Sequence, residues 1–291
     1  MNEILKFEFG GFGGNPFLVI GIGSECDQAV EYLRATGISE TDFGVTSQIS
    51  TIDFDKYKSV VSVMEYSDLN CLEYAKSIAA RTKKVDAIMV GILFCPLLKE
   101  QTLKTYYSDP EIETLKNVFN FLLPIPQLES PNMGYKLALP GESEKSYQWL
   151  WFAYRAVFDM LNQQVFLWDS SSVDLVIKNG GIGFFATGET AEKPRLLNAV
   201  KNAVYFTPET IQYIREARLI VMQIISGADT DYSELDDMFN YLYQKNDFDI
   251  EIQWRITINE EIGEHVRISI VGTGLDKPPK ERRNFDFLKL N

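Results

Sequence analysis

The chain has 291 residues, room for one large domain or two smaller ones, and its 45% hydrophobic and 24% charged content excludes disordered and low-complexity classes. Its 28 basic against 41 acidic side chains give a formal net charge of −13, which argues against general binding to a phosphate backbone. Cys26, Cys71 and Cys95 lie far apart with no CxxC pair, a pattern that suits a reducing compartment and offers neither a disulfide framework nor a zinc site. His265 is the sole histidine, so Ser-His-Asp, Cys-His and multi-His metal chemistry are excluded. No signal peptide opens the sequence, and no apolar run reaches the ~18 residues of a membrane span. The expectation is a soluble cytoplasmic protein.

Ile4–Phe9 alternates like a strand, and the cluster Gly10-Gly11-Phe12-Gly13-Gly14-Asn15 reads as a hairpin turn. Pro16–Gly23 is a continuous apolar strand of the kind buried on both faces. It runs into a helix over 24–37, with Ala29, Val30 and Leu33 at helical spacing and Gly37 as its stop. Strand, glycine turn and helix open a parallel α/β unit. Lys58–Met64 is a second strand, followed by a helix from Ser67 or Asp68 to Thr82, and Val85–Phe94 is a third buried strand. A helix around Glu111–Phe121 precedes the stiff run Leu123-Pro124-Ile125-Pro126, and 129–144 reads as a loop.

Ser146–Leu167 is the most apolar helix, with one narrow polar stripe of Arg155, Asp159, Asn162 and Gln163, so it packs on several sides. Downstream come strand Ile182–Thr187, helix Pro194–Phe206, strand Leu219–Ile225 and helix Tyr232–Lys245. Strands Asp249–Ile258 and His265–Val271 follow, joined by a hairpin at Asn259–Gly263. This portion reads as an α+β unit on a mixed four-stranded sheet. The tail from Leu275 to Asn291 is locally basic and tipped with apolar residues.

The layout resembles the FtsZ/tubulin superfamily. Ser226-Gly227-Ala228-Asp229, with Glu234 five residues after the aspartate, resembles the family's strand-to-helix turn. Phe185-Ala186-Thr187-Gly188 resembles the strand ending in Gly-Thr-Gly, and Val271-Gly272-Thr273-Gly274 the closing Val-Ala-Thr-Gly. At the front, Val19-Ile20-Gly21-Ile22-Gly23 leading to Ala29 and Gly37 resembles the first strand, glycine loop and helix. The resemblance implies an α/β fold: a Rossmann-type N-terminal domain over 1–145, a buried central helix over 146–168, a smaller α+β C-terminal domain over 169–274 and a tail over 275–291.

The resemblance also implies GTP or GDP as ligand, held by backbone amides of glycine-rich loops at helix N-termini, because close approach to a triphosphate needs bare, aligned N–H donors. The matching positions are Gly21, Gly23, Ser24 and Gln28 in the first loop and Gly91 in the second, with Trp151 and Arg155 near the base. For these last two, core packing and a surface ion pair of Arg155 with Asp159 are the competing reading. Glu25 and Asp27 would face phosphate charge, and a like-charge pair ~5 Å apart at an effective dielectric of ~20 costs roughly 3 kcal/mol. The family's Gly-Gly-Gly-Thr-Gly-Thr-Gly run is absent; Gly91-Ile92-Leu93-Phe94-Cys95-Pro96 stands there. In the hydrolytic loop Asp169 matches the first acid, while Leu167 and Ser172 replace the asparagine and the second acid; a loop or cap role for Asp169 is the alternative.

The expected function is thus an FtsZ-like cytoskeletal or scaffold protein, a homo-oligomer or filament or co-assembled with a homologue, with GTP binding weakened or lost. A GTPase with remodelled phosphate loops, and a dinucleotide-binding enzyme built on Gly21-Ile22-Gly23, are the alternatives. In the tail, Arg282, Arg283, Phe285, Phe287 and Leu288 are candidates for a protein partner. Asp229 and Asp231 read as turn and cap residues, Glu234, Asp236 and Asp237 as dipole-matched first-turn acids, and His265 as a solvated edge residue. No metal site is evident.

Overall fold

The computed structural model describes residues 17–36, 38, 41–66, 69–96, 103–107, 109–126, 145–161, 177–245 and 252–276. The glycine cluster at 10–15, the Asp169 loop and the tail beyond Asp276 lie outside them.

The first half folds as expected into parallel α/β units. Strands β1 (Phe17–Gly21), β2 (Thr41–Gly44), β3 (Ser59–Glu65), β4 (Ile88–Cys95), β5 (Phe121–Pro126) and β6 (Gly181–Ile182) form one sheet, ordered β2-β1-β3-β4-β5-β6. Among the described residues all of its pairings are parallel. Helices α1 (Ser24–Ala35), α2 (Leu69–Thr82) and α3 (Pro110–Lys116) cross between strands. β1, β4 and β5 are buried along their whole length, which is why they read as unbroken apolar runs.

The stiff run Leu123–Pro126 is part of β5. A parallel strand donates alternately to its two neighbours, and Leu122 already faces β6 by accepting from Gly183 N–H. Pro124 and Pro126, in step with Leu122, turn their donor-less nitrogens to the side where the two-residue β6 has ended.

Helix α4 (Lys145–Leu161) is the central helix. Tyr154 and Phe158 face the first sheet: Phe158 packs 4.9 Å from Phe17, and the Tyr154 hydroxyl bonds to Thr41. Trp149 and Phe152 face the other way, 5.6 and 5.9 Å from Phe206. The second sheet contains β7 (Phe184–Thr190), β8 (Leu219–Ser226), β9 (Ile252–Ile258) and β10 (Val266–Thr273), ordered β7-β10-β8-β9. Helices α5 (Arg195–Val204), α6 (Thr210–Glu216) and α7 (Leu235–Asn240) complete this unit. The expected β9–β10 hairpin is absent, because β8 lies between them: β9 runs parallel to β8, and β10 antiparallel.

Arg155 and Asp159 form their i,i+4 pair at 3.1 Å, but not on the surface. Asp159 is 5% exposed, because α4 turns it onto β10, where Arg267 Nε and Ser269 Oγ each approach it to 3.3 Å. Arg267 also reaches Glu189 at 3.5 Å, and His265, half exposed, sits 3.2 Å from the same carboxylate. Arg255 on β9 donates to the carbonyls of Asp159 and Met160, closing the last turn of α4.

The chain returns to the first sheet after β10. Gly274 N–H donates to Gly180 O, Leu275 N–H to Ile182 O, and the Asp276 carboxylate accepts from Ile182 N–H and meets Lys116 at 3.1 Å.

At Gly188, β7 lies directly against the backbone of α5. A Cβ there would lie 2.2 Å from Ala199 O and 2.3 Å from Ala203 N, both backbone of α5. Gly188→Ala is expected to push α5 off the sheet and cost about 2–3 kcal/mol in urea denaturation; a loss below about 0.5 kcal/mol would contradict this packing.

Candidate functional site

In an open parallel sheet, ligands sit beyond the carboxyl ends of strands where the strand order reverses. Here β1 leads outward to β2, and the chain then returns to β3 on the other side of β1. The reversal places Gly21, Gly23, Ser24 and Gln28 together at the end of β1 and the start of α1.

Gly21 is required by close packing: a Cβ would lie 2.6 Å from Cys26 O. Gly23 adopts φ 97° and ψ 157°, a conformation that side chains avoid. Its N–H donates to Thr46 Oγ1 at 2.8 Å. Asp27 is engaged by the same residue, accepting from Thr46 N–H at 2.9 Å and from Oγ1 at 3.0 Å. Asp27 is therefore turned toward the β2 side of the loop and braces it, instead of standing open toward a ligand. Ser24, Glu25 and Gln28 are exposed around the first turns of α1, whose N-cap position, Gly23, has no side chain with which to cap it.

Gly91 does not reach the site. β4 continues to Cys95, so Gly91 lies mid-strand, buried, with the position of its missing Cβ 2.8 Å from Leu122 and 3.1 Å from Phe119. It is a packing glycine, and the segment after β4 starts at Pro96. At that crest the described residues present aromatic side chains. Tyr66 donates to Asp109 at 2.9 Å and packs edge-on to Tyr106, 4.8 Å away, while the Tyr106 hydroxyl donates to Pro96 O. Burial, then the bond to Asp109, pushes the Tyr66 hydroxyl up to about 12; burial likewise pushes the Cys95 thiol up, so both stay protonated at neutral pH. Asp109 also caps α3 through Glu111 N–H at 2.8 Å.

Trp151 is half buried, edge-on to Phe152 at 5.0 Å. Arg155 is committed to Asp159 on the β10 side of α4, so it does not join Gly21–Gln28. On the α1 side, the start of α4 instead offers Tyr147, 5.7 Å from Tyr32. Asp169, Arg282, Arg283, Phe285, Phe287 and Leu288 lie outside the described residues. Among the described residues no group of three His, Cys, Asp or Glu could hold a metal, and no helix is long and apolar enough to cross a membrane.

The C-terminal motif residues brace one another. Arg195, 3% exposed, meets the Asp229 carboxylate at 3.0 Å and donates to Asp229 O and Glu264 O at 2.8 Å. This bond holds the Asp229 carboxyl below the usual range. Glu234 accepts from Leu196 N–H at 2.8 Å, capping α5, and Asp231 accepts from Ser233 N–H and Oγ.

Sequence reasoning missed Thr46, which organises the loop from a distance of 19 residues to Asp27 without any local signal. Thr46→Val keeps the shape but removes the acceptor for Gly23 N–H and the hydroxyl donor to Asp27, leaving the backbone donor in place. It is expected to cost about 1–2 kcal/mol in equilibrium unfolding; an unchanged midpoint would show that the loop does not depend on this residue.

Comparison with known proteins agrees with this architecture. The FtsZ family C-terminal domain matches residues 181–276. The cell division protein FtsZ 1 of Thermococcus kodakarensis is 25% identical over 209 residues, 70% of this chain and 54% of that protein. FtsZ 1 of Halobacterium salinarum is 22% identical over 211 residues, 72% of this chain and 53% of that protein. The chain thus spans about half the length of the curated relatives it matches. Among solved structures, an empty FtsZ dimer from M. jannaschii superposes with TM-score 0.65 at 19% identity, covering 92% of this chain and 93% of the other. A GTPγS-bound CetZ2 protofilament from Haloferax volcanii gives 0.60 at 12% identity, covering 89% and 92%. The N-terminal parallel sheet, the buried helix and the second unit together give the chain an FtsZ/tubulin-like fold, and residues 181–276 match the FtsZ C-terminal domain.

Proposed function

We propose that this chain is an FtsZ-like cytoskeletal or scaffold protein that assembles with itself or a homologue, with GTP binding weakened or lost and hydrolysis impaired. The observation that carries the reading is the engagement of Gly23 N–H by Thr46, in a loop that also holds Glu25 and Asp27. A triphosphate would have to displace that bond and approach an exposed carboxylate. The Tyr66–Tyr106–Asp109 cluster at the end of β4 supports the same reading, since it fills with side chains a crest where the family has bare amides. Assembly is supported by the dimer and protofilament forms of the similar structures. Head-to-tail contacts of this kind build open polymers. In that arrangement the 167–172 loop would meet a neighbour, and Asp169 alone would remain to polarise water.

A second reading, a GTP-binding switch with a remodelled seat, is favoured by one observation: the start of α1, with Ser24, Glu25 and Gln28 exposed, lies at the strand-order reversal. Calorimetry with GTP, GDP and NAD, paired with sedimentation, separates the readings. The expected result is no saturable nucleotide binding below about 1 mM, with polymers that pellet regardless. Low-micromolar GTP binding without added metal would overturn the first reading, and turnover rising steeply with protein concentration would establish the second. Tight NAD binding would set both aside.

A further inference from the structure

Two carboxylates stand at the ends of α3, and each is shared between elements. At the crest end, Asp109 splits its oxygens. Oδ1 accepts from Glu111 N–H at 2.8 Å and caps the helix, while Oδ2 accepts from the Tyr66 hydroxyl at 2.9 Å, one residue past β3. The backbone repeats the tie: Glu113 N–H donates to Asp109 O, and Asp109 N–H to Tyr106 O. At the other end, Asp276 splits its oxygens in the same way. Oδ1 accepts from Ile182 N–H at 3.0 Å, and Oδ2 meets Lys116, in the last turn of α3, at 3.1 Å.

The helix between these carboxylates is short and firmly seated. Its seven residues span ~10 Å. Pro110 opens it, the Thr114 hydroxyl donates back to Pro110 O, and Ile112 and Leu115 are buried in the core of the first sheet. The contact at its far end is shielded from water, since the side chain of Asp276 is 4% exposed and that of Lys116 18%. Gly181, at φ 63°, makes room for it: a Cβ there would stand 2.5 Å from Asp276 Oδ1. Asp276 ends the strap of residues 274–276, whose Gly274 and Leu275 amides donate to Gly180 O and Ile182 O and bring the end of the second unit onto the first sheet. A rigid element anchored at both ends transmits a shift from one to the other.

We propose that α3 is a rigid link that couples the Tyr66–Asp109 contact at the crest of the first sheet to the Asp276 strap at the seam with the second unit. A group that takes Asp109 from Tyr66 disturbs the cap, displaces Lys116 and loosens the strap. By linkage, loosening the strap weakens the crest contact to the same extent. The inference stands on these contacts and does not depend on whether nucleotide binds.

Amide hydrogen exchange on Tyr66→Phe, Lys116→Met and the double variant tests it. Both substitutions keep the bulk of the side chain, and the amides of β8 and α2 serve as the reference for global stability. Tyr66→Phe is expected to speed exchange at Ile182 and Leu275 about threefold relative to the reference, and Lys116→Met to speed Glu111 by about the same factor. In the double variant the effects should fall short of the product of the single ones, because the two contacts share one link. Changes confined to the substituted end in both single variants would overturn the proposal. So would effects that multiply in the double variant, or that move the reference amides equally, because the contacts would then be independent braces.

Discussion

An apolar helix threaded between two sheets can carry few charges, and the one carboxylate that α4 buries sets the terms for the rest. Asp159 is taken out of water on the side facing the second sheet, so its charge must be met there. Arg155 meets it from within the helix, and Arg267 and Ser269 from β10, two residues apart and hence on one face of the strand. Arg255 adds a second tie from β9 to the carbonyls at the helix end. Truncating one partner of such a set typically costs about 3–5 kcal/mol, because the remaining charge stays buried. The helix is thus fixed in rotation and in height against the second unit, while Tyr154 and Phe158 fix its opposite face against the first. Whatever leaves the C-terminal end of α4 starts from a firmly held position.

The parts of this fold that were legible in the sequence are those governed by local pattern. Buried parallel strands show as apolar runs, and α1 and α5 show as helical spacing bounded by glycine or proline. The motif around Gly227, Asp229 and Glu234 was readable because its work is local: a turn, a clamp on Arg195 and a cap on α5. What could not be read depends on pairings across the chain. β2 is four residues long with only its two ends buried, so it leaves no periodic trace. The connection from β9 to β10 has the composition of a hairpin, and only the insertion of β8 between the strands shows otherwise. The Arg155–Asp159 spacing revealed a pair but not its burial, which is decided by Arg267 on a strand more than a hundred residues away.

The candidate site divides along the same line. The glycines at 21 and 23 were visible, and the structure uses both, Gly21 for close packing on Cys26 and Gly23 at φ 97°. The use made of the Gly23 amide was not visible, since the partner is an isolated threonine just after β2. A helix start with free donors is a generic anion seat; the same start with a donor already satisfied inside the protein must break a bond before it gains one. Gly91 illustrates the opposite failure: a glycine at the family position turned out to answer a packing need between β4 and β5, because the strand runs four residues beyond it.

The return of residues 274–276 to the first sheet has a consequence for how the molecule comes apart. The segment that matches the family C-terminal domain begins at Gly181, inside β6, and ends at Asp276, bonded to the neighbouring Ile182 and to Lys116 of α3. Both ends of that segment are sewn into one seam belonging to the other unit. Excising it would cut a strand from one sheet and strand a desolvated acid without its lysine. The two halves are therefore expected to melt as one cooperative block, and a protease would find no natural place to part them at that boundary.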